Sequence, residues 1–552
     1  MSNELKTDVL IIGGSFGGVA AALTAAKMGK RVILTEETAW LGGQATTQGV
    51  PIDEHPWIEQ YGCTRSYRKF RQLIREYYFD NYPVTNKSRN DPFFNPGAGW
   101  VSGLGFEPRV GLAVIEQMLA AYRSAGLLTT YMKHCPIATE TDGDRIASVT
   151  LKDIESGEKV VMSAPYILDA TELGDVIELA GVEHVTGSES IDETGEPAAL
   201  DGPADPLRQQ GFTHLAAIDY LPGEDHTIDK PDSYDKWRPQ LEPWKNSMIG
   251  GMKGLFHDEM LDEDGSIKKT PKYRTCIWNF RRVLCRENFE PGAFASDITM
   301  LMCGNEYKLG ALAGVPEEEK AEHLKNARDL TLSLIYFLQT EVEPGYMGKP
   351  GFPGIRPRGD VFGTKDGLAQ YPYIRESRRI KAVFTVKQQH FQMDVPGNEN
   401  GPVLFDDSIG VGAYRIDLHE PAKNSNKCVT DALHGTSWPQ QIPLGSLIPI
   451  RVENMLPACK NIGSTHITNG CFRLHCTEWN IGEAAGALAA YCIDNKVLPR
   501  GVRNDNAILK DYQQTLLRLG VELTWPRMEF ARSYASHNAK IPDWYGGESW
   551  RL

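Results

Sequence analysis

The sequence has no polybasic block, no internal repeat, no low-complexity tract and no apolar run long enough to cross a bilayer. With a net charge of −14, the first of these absences argues against nucleic acid and anionic membrane as partners. The last argues against a membrane-spanning protein. The ten cysteines include no C-x-x-C pair and form no short regular framework, so reduced thiols and a cytoplasmic location are expected. Residues 1–6 are polar and no secretory leader is expected ahead of the first strand. Neither HxxxH nor HxH spacing occurs among His419, His434, His466 and His475, so no metal site is expected.

What is present is an ordinary globular composition, 41% hydrophobic and 24% charged, in 552 residues. At about 150 residues per domain, that length predicts two or three domains. Residues 8–12 form a short apolar run, as in a buried parallel strand, followed by GGSFGG. Gly13 and Gly18 fit the first and third glycines of a dinucleotide turn, and Ser15 replaces the second. Small residues then predict a helix lying close on a sheet, and a second strand at 31–34 leads to Glu36 and Glu37. In this βαβ context the backbone of Gly13, Gly14, Ser15, Phe16, Gly17 and Gly18 would hold a pyrophosphate at the helix N-terminus. Glu36 would accept hydrogen bonds from ribose hydroxyls, and the Ser15 hydroxyl could donate to a phosphate oxygen. One βαβ unit cannot choose between FAD and NAD.

Later segments carry that choice. LGGQATTQG supplies Gly42, Gly43, Gln44 and Thr46; SAPYILDATELGD supplies Ala170, Thr171, Gly174 and Asp175 after a strand at 166–168. Near the far end stand Thr465-His466, Arg473 and GEAAGALAA, with Gly482 and Ala485. Together with GFEPRVGLAVIEQML, PYIRESRRI, GAYRIDLH and IPLGSLIP, these resemble, in order and over nearly the whole chain, the FAD-dependent oxidoreductases of the glutathione-reductase-type flavin fold. The resemblance implies an α/β fold: a Rossmann-like FAD-binding domain, parallel sheet plus β-meander, with a second α+β substrate domain. Cys459, Gly463 and Glu172-Leu173 depart from the family pattern and touch local flavin contacts.

The implied FAD domain is discontinuous, at about 1–50, 106–185 and 440–497. Residues 186–440 would form the substrate domain and 498–552 a C-terminal appendage with an amphipathic helix at 508–519. Within 51–105, arginines and aromatics alternate densely, and two readings stand: a packed helix at about 66–79 with a surface loop, or an aromatic lid over the flavin. Leu112, Ile115, Leu119 and Tyr122 repeat at helical spacing. No second dinucleotide fold follows GVGAYR, so the electron acceptor is expected to be oxygen or another partner, with homo-oligomerisation left open.

For chemistry, the resemblance places His466 beside the isoalloxazine ring, as the first candidate acid/base, with Arg473 next and His419 third. Tyr414, His434 and His475 rank behind them. A helix N-terminus near Gly482 would face the flavin pyrimidine. Arg375, Arg378 and Arg379 divide between an ion-pair network and anion binding. Cys471 and Cys476 share a C-x4-C spacing, but not the chain position of a flavin disulfide reductase pair. The expected reaction is oxidase or dehydrogenase chemistry on a small organic substrate; the alternatives are a flavin monooxygenase and an FAD-binding scaffold without turnover.

Overall fold

The computed structural model describes residues 4–241, 248–249, 252–253, 255–256, 276–343, 345–393, 395–398, 401–419 and 437–525. His434 lies outside them. Five parallel strands form the central sheet, in the order Met455–Pro457, Tyr166–Asp169, Val9–Ile12, Val32–Glu36 and Leu128–Met132. The apolar run of Val9–Ile12 sits in the middle, buried on both faces, as a central parallel strand must be. Ile12 pairs with Thr35 on one side and Asp169 on the other, so the carboxyl ends of these strands finish level. The chain order of the strands reverses at Val9–Ile12 and Tyr166–Asp169, the crevice where ligands bind in such sheets.

The glycine turn enters the helix Phe16–Lys27, which packs along the helix His475–Asn495. Both contact faces are built from small residues. A methyl group on Gly482 would fall 1.9 Å from the Gly17 carbonyl oxygen, and one on Gly486 2.3 Å from that of Ala21. The GEAAGALAA segment therefore lets two backbones touch. An antiparallel meander, His134–Asp142, Arg145–Asp153 and Lys159–Ser163, follows the third parallel strand in sequence, as the resemblance implies.

A second unit carries its own core. The antiparallel strands Arg282–Leu284, Ile298–Leu301, Ala216–Tyr220 and Ile355–Pro357 and the helix Glu317–Thr340 enclose Trp237, Trp278, Leu334, Phe337 and Leu338. Between the units lies the helix Arg65–Asn81, with Tyr67, Phe70, Ile74 and Tyr78 fully buried on one stripe. Tyr67 and Phe70 meet the Phe16 ring at 6.0 and 5.4 Å, and Trp479 meets it at 4.7 Å. These aromatics belong to the interior, and none of them is left to close over a site. The helix Pro108–Ser124 buries Val110, Val114, Ile115, Met118 and Leu119, while Leu112 and Tyr122 are only half-buried. The last described helix is Asn506–Leu519. In GVGAYR the glycines belong to the strand Ser408–Gly412, where Gly410 and Gly412 admit Asn480 and Thr477 of the long helix.

Candidate active site

A cavity of about 420 Å³ opens at the reversal point of the sheet. Gly13, Ser15, Glu36, Glu37, Ala170, Thr171, Glu172 and Asp175 line it, with Arg378 and, from the helix Glu317–Thr340, Lys320. Its volume suits part of an elongated ligand. Gly13 takes a left-handed φ of +101°, and a methyl group there would fall 2.3 Å from the Ala170 carbonyl oxygen. Only glycine permits that approach.

Ser15 is the N-cap of the first helix: its hydroxyl accepts from the Gly18 amide at 3.2 Å. Its oxygen is thus engaged in capping, a role a glycine at this place lacks and one that fits serine well. Glu36 accepts from the Gly14 amide at 2.8 Å and from the amide and hydroxyl of Thr38, tying the second strand to the glycine turn. Gly42, at φ +110°, donates to the Gly14 carbonyl and starts the turn Gly43–Ala45 beside it. Thr46 closes that turn on Leu41 O. Asp169 accepts from the amides of Thr171 and Ile177, and the Thr171 hydroxyl accepts from Asp175 N, which bends the chain at Gly174.

Beneath the turn lies a cluster that the sequence reading passed over. Lys460 is fully buried and pairs with Glu172, with Glu478 4.0 Å away. Glu478 accepts from the Gly17 amide at 2.9 Å and from the Gln44 amide group. Glu172 is thus no loss of a small residue alone. Burial, outweighing the attraction of Lys460, pushes its carboxyl up to about 7, and its Oε1 has no hydrogen-bond partner among the described residues. The same holds for Gln44 Oε1 and both amide atoms of Gln48. Buried polar atoms without partners mark a place for a polar ligand.

The helix bearing Gly482 starts at His475, so Gly482 and Ala485 lie well inside it. They serve contact with the first helix, and the free N-terminus belongs to His475–Glu478. His475 Nδ1 accepts from the Asp53 amide at 3.1 Å. Burial, then Arg281 and Lys460, hold this imidazole far below its usual value, so it is neutral and carries its proton on Nε2. That Nε2 is buried without a partner among the described residues. His475, second-rank by sequence, thus presents an open donor at the helix start.

Next to this helix start lies a dense charged centre. Arg473 donates to the Tyr373 hydroxyl at 2.5 Å and to Asp417 Oδ2 at 3.1 Å. Its carbonyl accepts from Gln44 at 3.2 Å, which joins the centre to the cofactor side. Arg375 lies 2.7 Å from Glu306, and Arg281 lies 3.2 Å from Asp53. His419 bridges Glu306 and Asp417, one through each ring nitrogen. Burial raises both carboxyls, but His419 and the neighbouring guanidiniums outweigh it and hold them well below the usual range. Each nitrogen of the His419 ring thus faces a carboxylate. Tyr414 stands close enough to Arg281 and Arg473 to act on both electrostatically.

His466, at the start of the helix His466–Phe472, belongs to an adjoining network. Its Nδ1 lies 2.8 Å from Glu376, and its amide donates to Glu189. Glu376 is also paired with Arg379; despite burial, His466 and Arg379 bring its carboxyl down to about 2. The opposite ring nitrogen, Nε2, has no partner among the described residues. Gln210 links the networks: its amide donates to Glu376, its side chain donates to Asn469, and its Oε1 accepts from the His419 amide at 3.4 Å. Of the arginine trio, Arg379 pairs with Glu376 and Glu189 and Arg378 with Glu178, so these two hold structure together; only Arg375 enters the charged centre. Cys471 and Cys476 are free, buried thiols. Among the described residues no group of three His, Cys, Asp or Glu could hold a metal, and no helix is long and apolar enough to cross a membrane.

Comparison with known proteins gives these features a family. The model of the FAD dependent oxidoreductase family matches residues 8–516. No curated protein matches. Solved structures with some similarity include a geranylgeranyl bacteriochlorophyll reductase-like protein from Thermoplasma acidophilum, at 10% identity and TM-score 0.33, covering 94% of this chain and 84% of that one. The myxobacterial chondrochloren halogenase CndH is 16% identical at TM-score 0.24, with 40% of this chain and 46% of that one covered, so the match spans less than half of the halogenase. The flavin-dependent monooxygenase PieE, solved with FAD and substrate, is 11% identical at TM-score 0.28, covering 69% and 52%. At these scores none lends its reaction to this chain. The family match does decide the cofactor, and the chain belongs to the FAD-dependent oxidoreductase family.

Proposed function

We propose that this FAD-dependent oxidoreductase is an oxidase or dehydrogenase of a small organic substrate, with the cofactor held across the crevice at Gly13 and Ala170. The observation that carries the reading is the union of a cavity at the sheet reversal with buried, partnerless polar atoms beside it. Backbone amides at the start of the first helix suit the pyrophosphate, and Glu36 with Glu37 suits the ribose. Gly42, Gly43, Gln44 and the open Nε2–H of His475 suit the flavin end. When bound, FAD supplies the acceptor for a hydride leaving a substrate C–H bond; the accompanying O–H or N–H proton falls to the protein.

For that proton the geometry favours His466. Glu376 fixes the ring through Nδ1, which leaves Nε2 free, the arrangement of a base oriented by a carboxylate. His419, with a carboxylate at each ring nitrogen, is engaged at both and suits positioning. Arg473 anchors Tyr373 and Asp417. Anaerobic mixing of the FAD-loaded protein with candidate substrates tests the reading: one of them should bleach the flavin. Incorporation of labelled oxygen into product would contradict it in favour of a monooxygenase, and a flavin that no substrate or chemical reductant bleaches would favour a scaffold.

A further inference from the structure

The charged centre has a composition that the proton chemistry above does not use. Three guanidiniums, Arg281, Arg375 and Arg473, meet around Tyr373 and Tyr414 with the His419 ring. The three guanidinium side chains are buried or nearly so, those of Arg375 and Arg473 to within 1% and 2%. The described carboxylates facing them are Asp53, Glu306 and Asp417, and two of these are shared. Asp417 serves His419, Arg473 and Arg415; Glu306 serves His419, Arg375 and Lys308. Among the described residues, three guanidiniums thus face three carboxylates, two of which are divided among further partners, in a chain whose net charge is −14. The crowding is felt: burial first, and then the nearby Arg473, hold Arg375 below its usual value. Arg375 Nε and Arg473 Nε are buried donors with no partner among the described residues. Buried N–H donors left without a partner are costly unless a ligand oxygen completes the site.

We infer that this centre binds the carboxylate of an organic acid, held by Arg281, Arg375 and Arg473, so that the substrate of the proposed reaction is an acid. The inference rests on the flavoenzyme reading only for the word substrate; the anion site stands on the cluster itself. Guanidinium forks match a planar carboxylate with paired hydrogen bonds, and Tyr373 and Tyr414 offer ring faces beside it. The two oxygens of a carboxylate match the two open Nε donors, and beside three carboxylates a monoanion suits the centre better than a phosphate dianion. Arg473 joins this site to Gln44, which places the acid next to the cofactor segment.

Titration calorimetry on the protein as purified tests this. Acetate, lactate, succinate and benzoate are each compared with the neutral amide of the same skeleton, and phenyl phosphate is included. The expected result is that at least one acid binds, its amide at least tenfold more weakly and phenyl phosphate no tighter than benzoate. Arg281→Gln, the least buried of the three, should weaken the acid at least tenfold. Arg281→Lys should recover part of the loss, and Arg451→Met, at a surface pair, should change nothing. Absence of heat with every acid, amides binding as well as acids, tighter phenyl phosphate, or an unchanged Arg281→Gln would each overturn the inference. Flavin absorbance of the same sample reads the cofactor separately, so a colourless protein that binds an acid fails the flavin reading and keeps this one.

Discussion

Around Gly13 the protein presents backbone: glycine amides, a capped helix start and two helices in contact through Gly17 and Gly482. Around Tyr373 it presents long charged side chains, drawn from Asp53, Arg281, Glu306, Arg375, Asp417, His419 and Arg473, which are scattered over most of the chain. The first region holds a shape, and tolerates no added atoms where backbones touch. The second holds a charge balance, and its atoms are exchangeable in shape but not in sign. Substitutions in the two regions should therefore fail in different ways.

The largest effect is expected from Gly482→Val, which forces side-chain atoms into the Gly17 carbonyl. Overpacking of this kind costs about 1–3 kcal/mol, and denaturant unfolding should show a loss at the upper end of that range together with loss of FAD. A variant of wild-type stability would break the claim that backbone contact governs this region. In the network that adjoins the charged region the damage should spare the cofactor. Glu376→Gln leaves His466 in place but without its orienting carboxylate, and should slow anaerobic flavin bleaching by about 10²-fold, with flavin content unchanged and half-saturation by substrate little moved. Equal loss of FAD would join the two regions that the geometry separates.

A pH scan of the FAD-free protein sharpens the comparison further. On the cofactor side burial raises Asp169 to about 6, Glu172 to about 7 and half-buried Glu37 to about 8, and elsewhere it raises Glu196 to about 7. These groups keep protons in the folded state that the unfolded chain gives up near pH 4, so their contribution is full below that value and is lost as pH rises through 6–8. Glu376 and Asp417 act oppositely, and their contribution is lost only in strong acid. The unfolding temperature should peak near pH 5 and fall by roughly a few degrees toward pH 8; a rise over that interval would contradict the account. The smallest effect is expected from Ser15→Gly. It removes a cap hydroxyl worth only a few tenths of a kcal/mol against glycine, so unfolding should barely move and FAD should stay bound.

The same contrast explains what the sequence made legible. The glycine turn and the strands beside it are local, so GGSFGG and Glu36 declared themselves by spacing, while Ala170-Thr171 came with the resemblance of DATELGD to a family motif. The role of Gly482 was hidden, because whether a small residue opens a helix or touches another depends on where the helix begins. Arg281, Asp53 and Glu306 carry no pattern at all; only folding brings them to one point. Tyr373 and Glu376 stood inside PYIRESRRI, a segment recognised for its arginines, of which two turned out to be structural. Lys460 sat beside the departure at Cys459, and its burial against Glu172 could not be seen without the sheet. His466 was named by position in a motif, and its partner Glu376, 90 residues away in the chain, came from the structure.

The most direct measurement of the whole account takes His466→Ala beside the unaltered protein. Flavin content is read by absorbance and the rate of anaerobic bleaching is followed with a substrate in the same samples. The account predicts equal FAD content and bleaching slowed about 10²–10⁴-fold; bleaching at the unaltered rate, with FAD bound, would contradict it.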